Sequence, residues 1–264
     1  MIKDITLGQY LPGNSPVHRL DPRTKIIIIF AYIIVLFAVK NPIGYLVCTL
    51  FPVVACALAK IPAKMMVKSL KPLMFFIVFT AVINLFLTNG EIVVSFWIFK
   101  ITKEGIALTV KMALRLILLV TGTSILTYTT SPIVLTDGIE KLLSPLSKIG
   151  VPAHEIAMMM TIALRFIPTI IDETDKIIKA QSARGSDFES GNLIRRAKAL
   201  IPILVPLFVS AFRRADDLAV AMECRCYHGG KNRTKLNTIK MTRLDLIAML
   251  ISGAVFAVLL IWGR

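Results

Sequence analysis

The apolar positions of this chain gather in long runs, with neither strand-like alternation nor a narrow helical stripe. The runs cover Ile26 to Val39, Ile43 to Ala59, Leu73 to Leu87, about Ile106 to Leu126, and Leu244 to Trp262. Turn chemistry separates them: Lys40-Asn41-Pro42 follows the first, and Thr88-Asn89-Gly90 follows the third. The runs have the composition of helices crossing a bilayer. The first is short, but Thr24 and Lys25 extend it, because a lysine can lay its stem along apolar surface and keep its ammonium in water. Residues 91–105 form a mixed connection containing the strand-like piece IVVSFWIF.

Between 129 and 243 the pattern changes. No charge-free run there is long enough to span, and the segment reads as long helices that are apolar over much of their circumference. One opens at Ser131-Pro132 and runs to about Lys148, stopped by Gly150 and Pro152. A second runs from Ala153 to Ala183, nearly all apolar in its first half. Its second half is amphipathic, with Ile170, Ile171, Ile177 and Ile178 opposed by Asp172, Glu173, Asp175 and Lys179, and Pro168 is expected to kink it. A third runs from Gly191-Asn192 to about Arg225, with Pro202 and Pro206 inside it. At 1.5 Å per residue each of the two longer helices reaches about 45 Å. The expected fold is therefore all-α: a polytopic membrane protein with about five transmembrane helices and long amphipathic helices outside them. Its regions are an N-terminal membrane region (1–128), a helical region (129–243) and a C-terminal membrane helix (244–264).

Composition sharpens this picture. Of 264 residues, 56% are hydrophobic, while 31 Lys and Arg against 16 Asp and Glu leave a net charge of +15. That much apolar residue excludes a soluble nucleic-acid binder and a disordered basic tail. The charge is one-sided. With the N-terminus inside, 25 of the 31 cations fall in residues 1–25, 60–71 and 129–243. Lys40, Lys100, Lys103 and Arg264 are left outside, which orients the chain with its N-terminus and the 129–243 helices in the cytoplasm. Residues 1–25 lack a signal-peptide pattern, so no cleaved leader is expected. The four cysteines read as reduced thiols.

The two long helices end alike. The second stops at Ala183-Arg184-Gly185 and the third at Cys224-Arg225-Cys226, with the arginines 41 positions apart. At that offset Asp175 falls on Asp216 and Ala180 on Ala221. A C-cap glycine with a nearby arginine is common, because the helix dipole favours a cation there. Two such ends in tandem point instead to docking tips. A guanidinium offers planar, multidentate contacts, and small neighbours let a partner backbone approach.

These features resemble the EcfT (CbiQ-like) family, the transmembrane T components of energy-coupling factor transporters. The resemblance rests on Gly8-Gln9-Tyr10-Leu11-Pro12-Gly13-Asn14-Ser15, on His18-Arg19-Leu20-Asp21-Pro22-Arg23 with Lys25, and on the paired Ala-Arg-Gly signatures. The second signature keeps only Arg225; Cys224 and Cys226 stand where Ala and Gly are usual. The resemblance implies a non-catalytic subunit in the cell membrane that joins two cytoplasmic ABC-type ATPases to a membrane S component binding a vitamin or a metal ion. In it the long helices are coupling helices, an X- or V-shaped pair whose arginine tips dock into the ATPases. ATP and Mg would be bound by those partners, with no cofactor, metal or nucleic acid on this chain. Met158, Met159, Met160 and Leu164 are the expected S-component contacts, since Met repacks readily, although core packing explains Met as well.

Other features carry less. Cys224-x-Cys226 with His228 cannot by itself close a structural zinc site. Lys111 and Arg115, four apart on the fourth span, can pair with carboxylates or line a polar path, but snorkelling to the outer interface is the preferred reading. Pro-Gly-Asn-Ser and Asp-Pro-Arg near the N-terminus have turn chemistry that sets the entry into the first span. There is no GxxxxGK[ST] loop to hold nucleotide. A membrane-embedded enzyme would have to use Asp172, Glu173 and Asp175, which have no paired histidine; His18, His154 and His228 are scattered. A stand-alone transporter or channel would show span repeats or broken midplane helices, and neither is present.

Overall fold

A computed structural model describes residues 10–96, 99–186, 193–229 and 240–263. It divides into two compact units, one holding the described residues of Gly8–Gly138 and Ile239–Arg264, the other those of Ile139–Thr238. In chain order the helices are α1 (Pro16–Arg19), α2 (Pro22–Ala38), α3 (Pro42–Ala59), α4 (Ala63–Leu70), α5 (Met74–Leu87), α6 (Lys103–Thr129), α7 (Pro132–Leu143), α8 (Ala153–Ala183), α9 (Leu193–Glu223) and α10 (Arg243–Trp262). Helix starts follow simple chemistry. Ser15, Asp21 and Asn41 are N-caps, each followed by a proline whose missing N–H costs nothing in the first turn.

Strands β1 (Ile92–Phe96) and β2 (Phe99–Thr102) pair antiparallel, from Ile92 opposite Thr102 to Phe96 opposite Phe99, so the strand-like connection is a hairpin between α5 and α6. Trp97 and Ile98 lie outside the described residues, as do Gly8, Gln9, Gly191 and Asn192. The helix expected from Pro132 to Lys148 is in fact two pieces: α7 ends at Leu143 and a 3-10 turn covers Ser144–Ile149. Pro145 explains the break, since it has no N–H to donate and its ring clashes with the carbonyl four residues back. By contrast, α8 ends where its sequence pattern stops, and its helical assignment continues through Pro168.

Unit one is a helical bundle whose chain directions follow from its contacts. At one end, Asp21 N–H donates to Asp245 Oδ1 at 2.7 Å; at the other, Lys40 N–H donates to the Gly263 carbonyl at 2.8 Å. Helices α2 and α10 therefore run parallel. Lys25, in the first turn of α2, reaches Thr129 at the end of α6, so α6 runs the opposite way. The end of α3 packs with the end of α6 through Ala59, Ile61, Ile125 and Tyr128. Thr109 of α6 donates to Ala81 of α5, which places α4 and α5 antiparallel to α6. The alternation matches five crossings by α2, α3, α4–α5, α6 and α10. Arg23, Lys25, Lys60, Lys64 and Arg243 cluster by position at one end, whereas Lys40 and Lys103 lie at the other.

The core forms around Tyr32, with Val35 and Leu36 of α2, Val39 just after it, Cys48 of α3, Leu118 of α6, and Phe256 and Leu259 of α10. The Tyr32 ring stacks on Phe51 at 5.3 Å and its hydroxyl donates to the Cys48 carbonyl. Gly122 makes room for that ring: a Cβ there would lie 2.7 Å from a Tyr32 ring carbon.

Among the described residues α3, α4–α5, α6, α8 and α10 are long and apolar enough to cross a membrane. Helix α2, with 17 residues, is at the short end of the spanning range and runs the length of the bundle beside α10. Helix α8 was not among the expected spans and has the lowest mean hydropathy of the five, 1.3. Its first half carries only Glu155 and Arg165 as formal charges, so residues 129–243 do contain a segment apolar enough to span.

Candidate functional site

The second unit contains the two helices that carry the expected docking tips. They lie antiparallel. Gln181 near the end of α8 donates to the Pro202 carbonyl of α9, while Glu173 lies opposite Ser210 and Arg214. Glu173 Oε1 accepts from Ser210 Oγ at 2.5 Å and its Oε2 from Arg214 Nη2 at 2.8 Å. Beside this polar crossing an apolar groove is lined by Ile162, Phe166, Ala211, Ala215, Ala219 and Met222. The small α9 residues let the larger α8 side chains approach.

Both tips end in the same hydrogen-bonded cap. After α8, Gly185 N–H donates to the Ser182 carbonyl and Ser186 N–H to Gln181. After α9, Cys226 N–H donates to Glu223 and Tyr227 N–H to Met222. This pair of reversed bonds is the Schellman arrangement, which satisfies the last carbonyls of a helix when the next residue adopts a left-handed backbone. Gly185 does so at φ +86° and Cys226 at φ +54°. Arg184 and Arg225 occupy equivalent cap positions, and both are exposed. Ala183, Gly185, Cys224 and Cys226 around them are exposed too.

The crossing and the tips obey one register. Glu173 and Arg214 are 41 residues apart, as are Arg184 and Arg225. Each tip thus lies 11 residues beyond the crossing, about 16 Å along its own helix at 1.5 Å per residue. Because the helices are antiparallel, the two tips point away from the crossing in opposite directions. Sequence reasoning flagged Glu173 only as one of an acidic trio; the 41-residue offset was the available signal for its partner.

The other expected contact residues lie along α8: Met159 and Met160 are exposed, Met158 and Leu164 half-buried. Among the described residues no group of three metal-ligating side chains gathers. His154 Nδ1 pairs with Glu140 at 3.0 Å.

In the bundle, the N-terminal motif forms a knot. Ser15 caps α1 and bonds the His18 ring at 2.7 Å; the other ring nitrogen faces the Leu11 carbonyl at 3.0 Å. Lys25 Nζ donates to the Thr129 carbonyl, Thr130 Oγ1 and the His18 carbonyl. Asp245 Oδ2 accepts from Thr242 N–H and Oγ1, both at 2.7 Å, while Oδ1 takes the Asp21 N–H. These buried charges close helix ends, which accords with a motif that sets the entry into the first span.

Arg115 reaches toward the α2–α3 turn. Its Nη2 donates to Tyr45 Oη at 2.7 Å, and its guanidinium carbon lies 5.3 Å from the Phe37 ring centroid and 5.9 Å from that of Tyr45. Lys111, one turn away, is exposed.

The helical bundle and its long apolar helices define a multi-pass all-α membrane protein. A family model described as cobalt transport protein, CbiQ, matches residues 13–236. The chain is 57% identical to the energy-coupling factor transporter transmembrane protein EcfT of Ruminiclostridium cellulolyticum, over 94% of this chain and 92% of the relative. It is 54% identical to the EcfT of Clostridium kluyveri and 45% to that of Bacillus subtilis, with both chains fully covered in each case. The chain belongs to the EcfT (CbiQ) family, the transmembrane components of energy-coupling factor transporters.

Proposed function

We propose that this subunit couples ATP hydrolysis by two cytoplasmic ABC-type ATPases to movement of a substrate-binding S component in the membrane, driving uptake of a vitamin or a metal ion. Arg184 and Arg225 are the docking contacts, one for each ATPase, framed by Ala183 and Gly185 in one tip and Cys224 and Cys226 in the other. The observation that carries this reading is the pair of equivalent Schellman tips displaced equally, and oppositely, from the Glu173–Arg214 crossing. Two like tips suit two like partners. When the ATPases close on ATP, tips gripped on either side of a crossing must move relative to each other, and the crossing passes that motion to the apolar halves of α8 and α9. Met158, Met159, Met160 and Leu164 then offer the S component an apolar contact surface on α8. The charge-rich end of the bundle faces the cytoplasm under the positive-inside rule. ATP and Mg belong to the ATPases and the transported substrate to the S component, so this chain is not itself catalytic.

The test is a double charge reversal. R184E with R225E should abolish co-purification of the ATPases while leaving membrane insertion intact; survival of the complex would overturn the docking assignment. Each single reversal should retain one ATPase contact and weaken recovery less.

A further inference from the structure

Among the described residues the Arg115 guanidinium has no carboxylate partner. Among residues 22–129 the carboxylates are Glu91 and Glu104. Glu104 is committed to the Glu91 N–H at 2.8 Å, 11 residues along α6 from Arg115, or about 16 Å at 1.5 Å per residue. Arg115 instead makes one neutral hydrogen bond, to Tyr45, and its buried Nε has no hydrogen-bond partner. Its place in the bundle is also informative. Phe37 and Tyr45 flank the α2–α3 turn, whose Lys40 is exposed, and exposed Lys111 lies one turn from Arg115 on α6. Among the described residues neither lysine forms an ion pair. Three cations without carboxylate partners among the described residues therefore occupy the end of the bundle that otherwise carries few charges.

An apolar stripe leads to this cluster. Ile27, Phe30, Ile34 and Phe37 recur at helical spacing on α2 and are all exposed, Phe30 by 65% and Phe37 by 56%. The Arg115 guanidinium stacks on the last of them. From Ile27 to Phe37 the stripe rises about 15 Å at 1.5 Å per residue, a length comparable with an extended acyl chain. A ligand that satisfies all of this carries an anion with oxygens arranged for a planar guanidinium, joined to a hydrocarbon tail. Aromatic rings beside the cation are the side chains that favour the headgroup level of a bilayer.

We infer that Arg115, Tyr45 and Phe37 form a binding site for an anionic phospholipid, with its phosphate on the guanidinium and one acyl chain along the Ile27–Phe37 stripe of α2. Lys111 and Lys40 add the local field that selects a lipid of net negative charge over a zwitterionic one. The site is independent of the ATPase-docking tips.

Thermal unfolding of the purified full-length chain in non-ionic detergent tests this, with added phosphatidylglycerol, phosphatidylcholine or inorganic phosphate. Phosphatidylglycerol should raise the wild-type midpoint by roughly 5 °C, as a ligand near saturation does, and phosphatidylcholine should do much less. R115M should lose that increment, R115K should keep part of it, and F30S with I34S should reduce it with the guanidinium intact. An equal response of wild type and R115M to phosphatidylglycerol overturns the site. A wild-type response to inorganic phosphate as large as to phosphatidylglycerol also overturns it, because the acyl stripe then contributes nothing. If R115M keeps the lipid response but loses a co-expressed membrane partner, the cation serves a protein and the lipid assignment fails. Should R115M not fold, R115K and the stripe variant still decide the outcome.

Discussion

Glu173 and Arg214, 41 residues apart in sequence, meet at 2.8 Å where α8 and α9 cross. The same offset relates the arginines of the two tips, so the ion pair sits on the pseudo-symmetry of the helix pair and marks its register. A charge swap tests the pairing. E173R and R214E should each weaken the helix pair, and the double variant should recover most of the loss. Both side chains are partly exposed, so the coupling energy in a double-mutant cycle should be about 0.5–1 kcal/mol. Additive losses would show that the contact does not stabilise the crossing.

The two tips share a cap but not its residue. At Gly185 an added Cβ meets nothing within 4 Å, so G185A should cost about 1 kcal/mol from the left-handed backbone alone. G185C should cost a similar amount, and C226G should relieve the corresponding strain. Amide hydrogen exchange in the last turns of α8 and α9 reports each change; unchanged exchange in G185A would contradict the cap geometry.

Asp245 answers buried donors from two directions. D245A should destabilise the bundle by about 2–4 kcal/mol, combining a lost helix cap with an unsatisfied buried Asp21 N–H. D245N, which keeps the shape but replaces an acceptor oxygen by a donor, should lie between the alanine variant and wild type. Unfolding midpoints in detergent give the order.

Gly122 limits the approach of Tyr32, whose ring is held between α3 and α10. G122A should cost about 1–3 kcal/mol through displacement of a packed ring, and G122V more. Tyr32 fluorescence gives no clean signal among five tyrosines, so the measurement is again the unfolding midpoint, with Y32F as the control that leaves the ring in place.

How much of this was legible beforehand depended on range. The α8 limits, Ala153 and Ala183, followed from local stops, and the membrane helices from runs of apolar residues. Pro145 was readable in principle, but the helix was read on to Lys148, where Gly150 and Pro152 supply the stop. The apolar first half of α8 was passed over because its charges interrupt every charge-free run. The partners of Arg115, Phe37 and Tyr45, were not legible because they are 78 and 70 residues away, and no periodicity encodes such an encounter. The equivalence of the tips was only faint in side-chain identity, since a Schellman cap is made of backbone bonds that Gly185 and Cys226 can both supply.

The parallel clasp of α2 and α10 sets a timetable for assembly. Asp21 and the carboxylate that receives its N–H are separated by 224 residues. At roughly 5–20 residues per second of synthesis, ~10–45 s pass between the two. Throughout that interval the side of α2 that faces α10 and the Asp21 N–H wait uncovered, while both tipped helices are made. Any factor that shields α2 during those seconds acts before the subunit has a finished bundle to offer its partners.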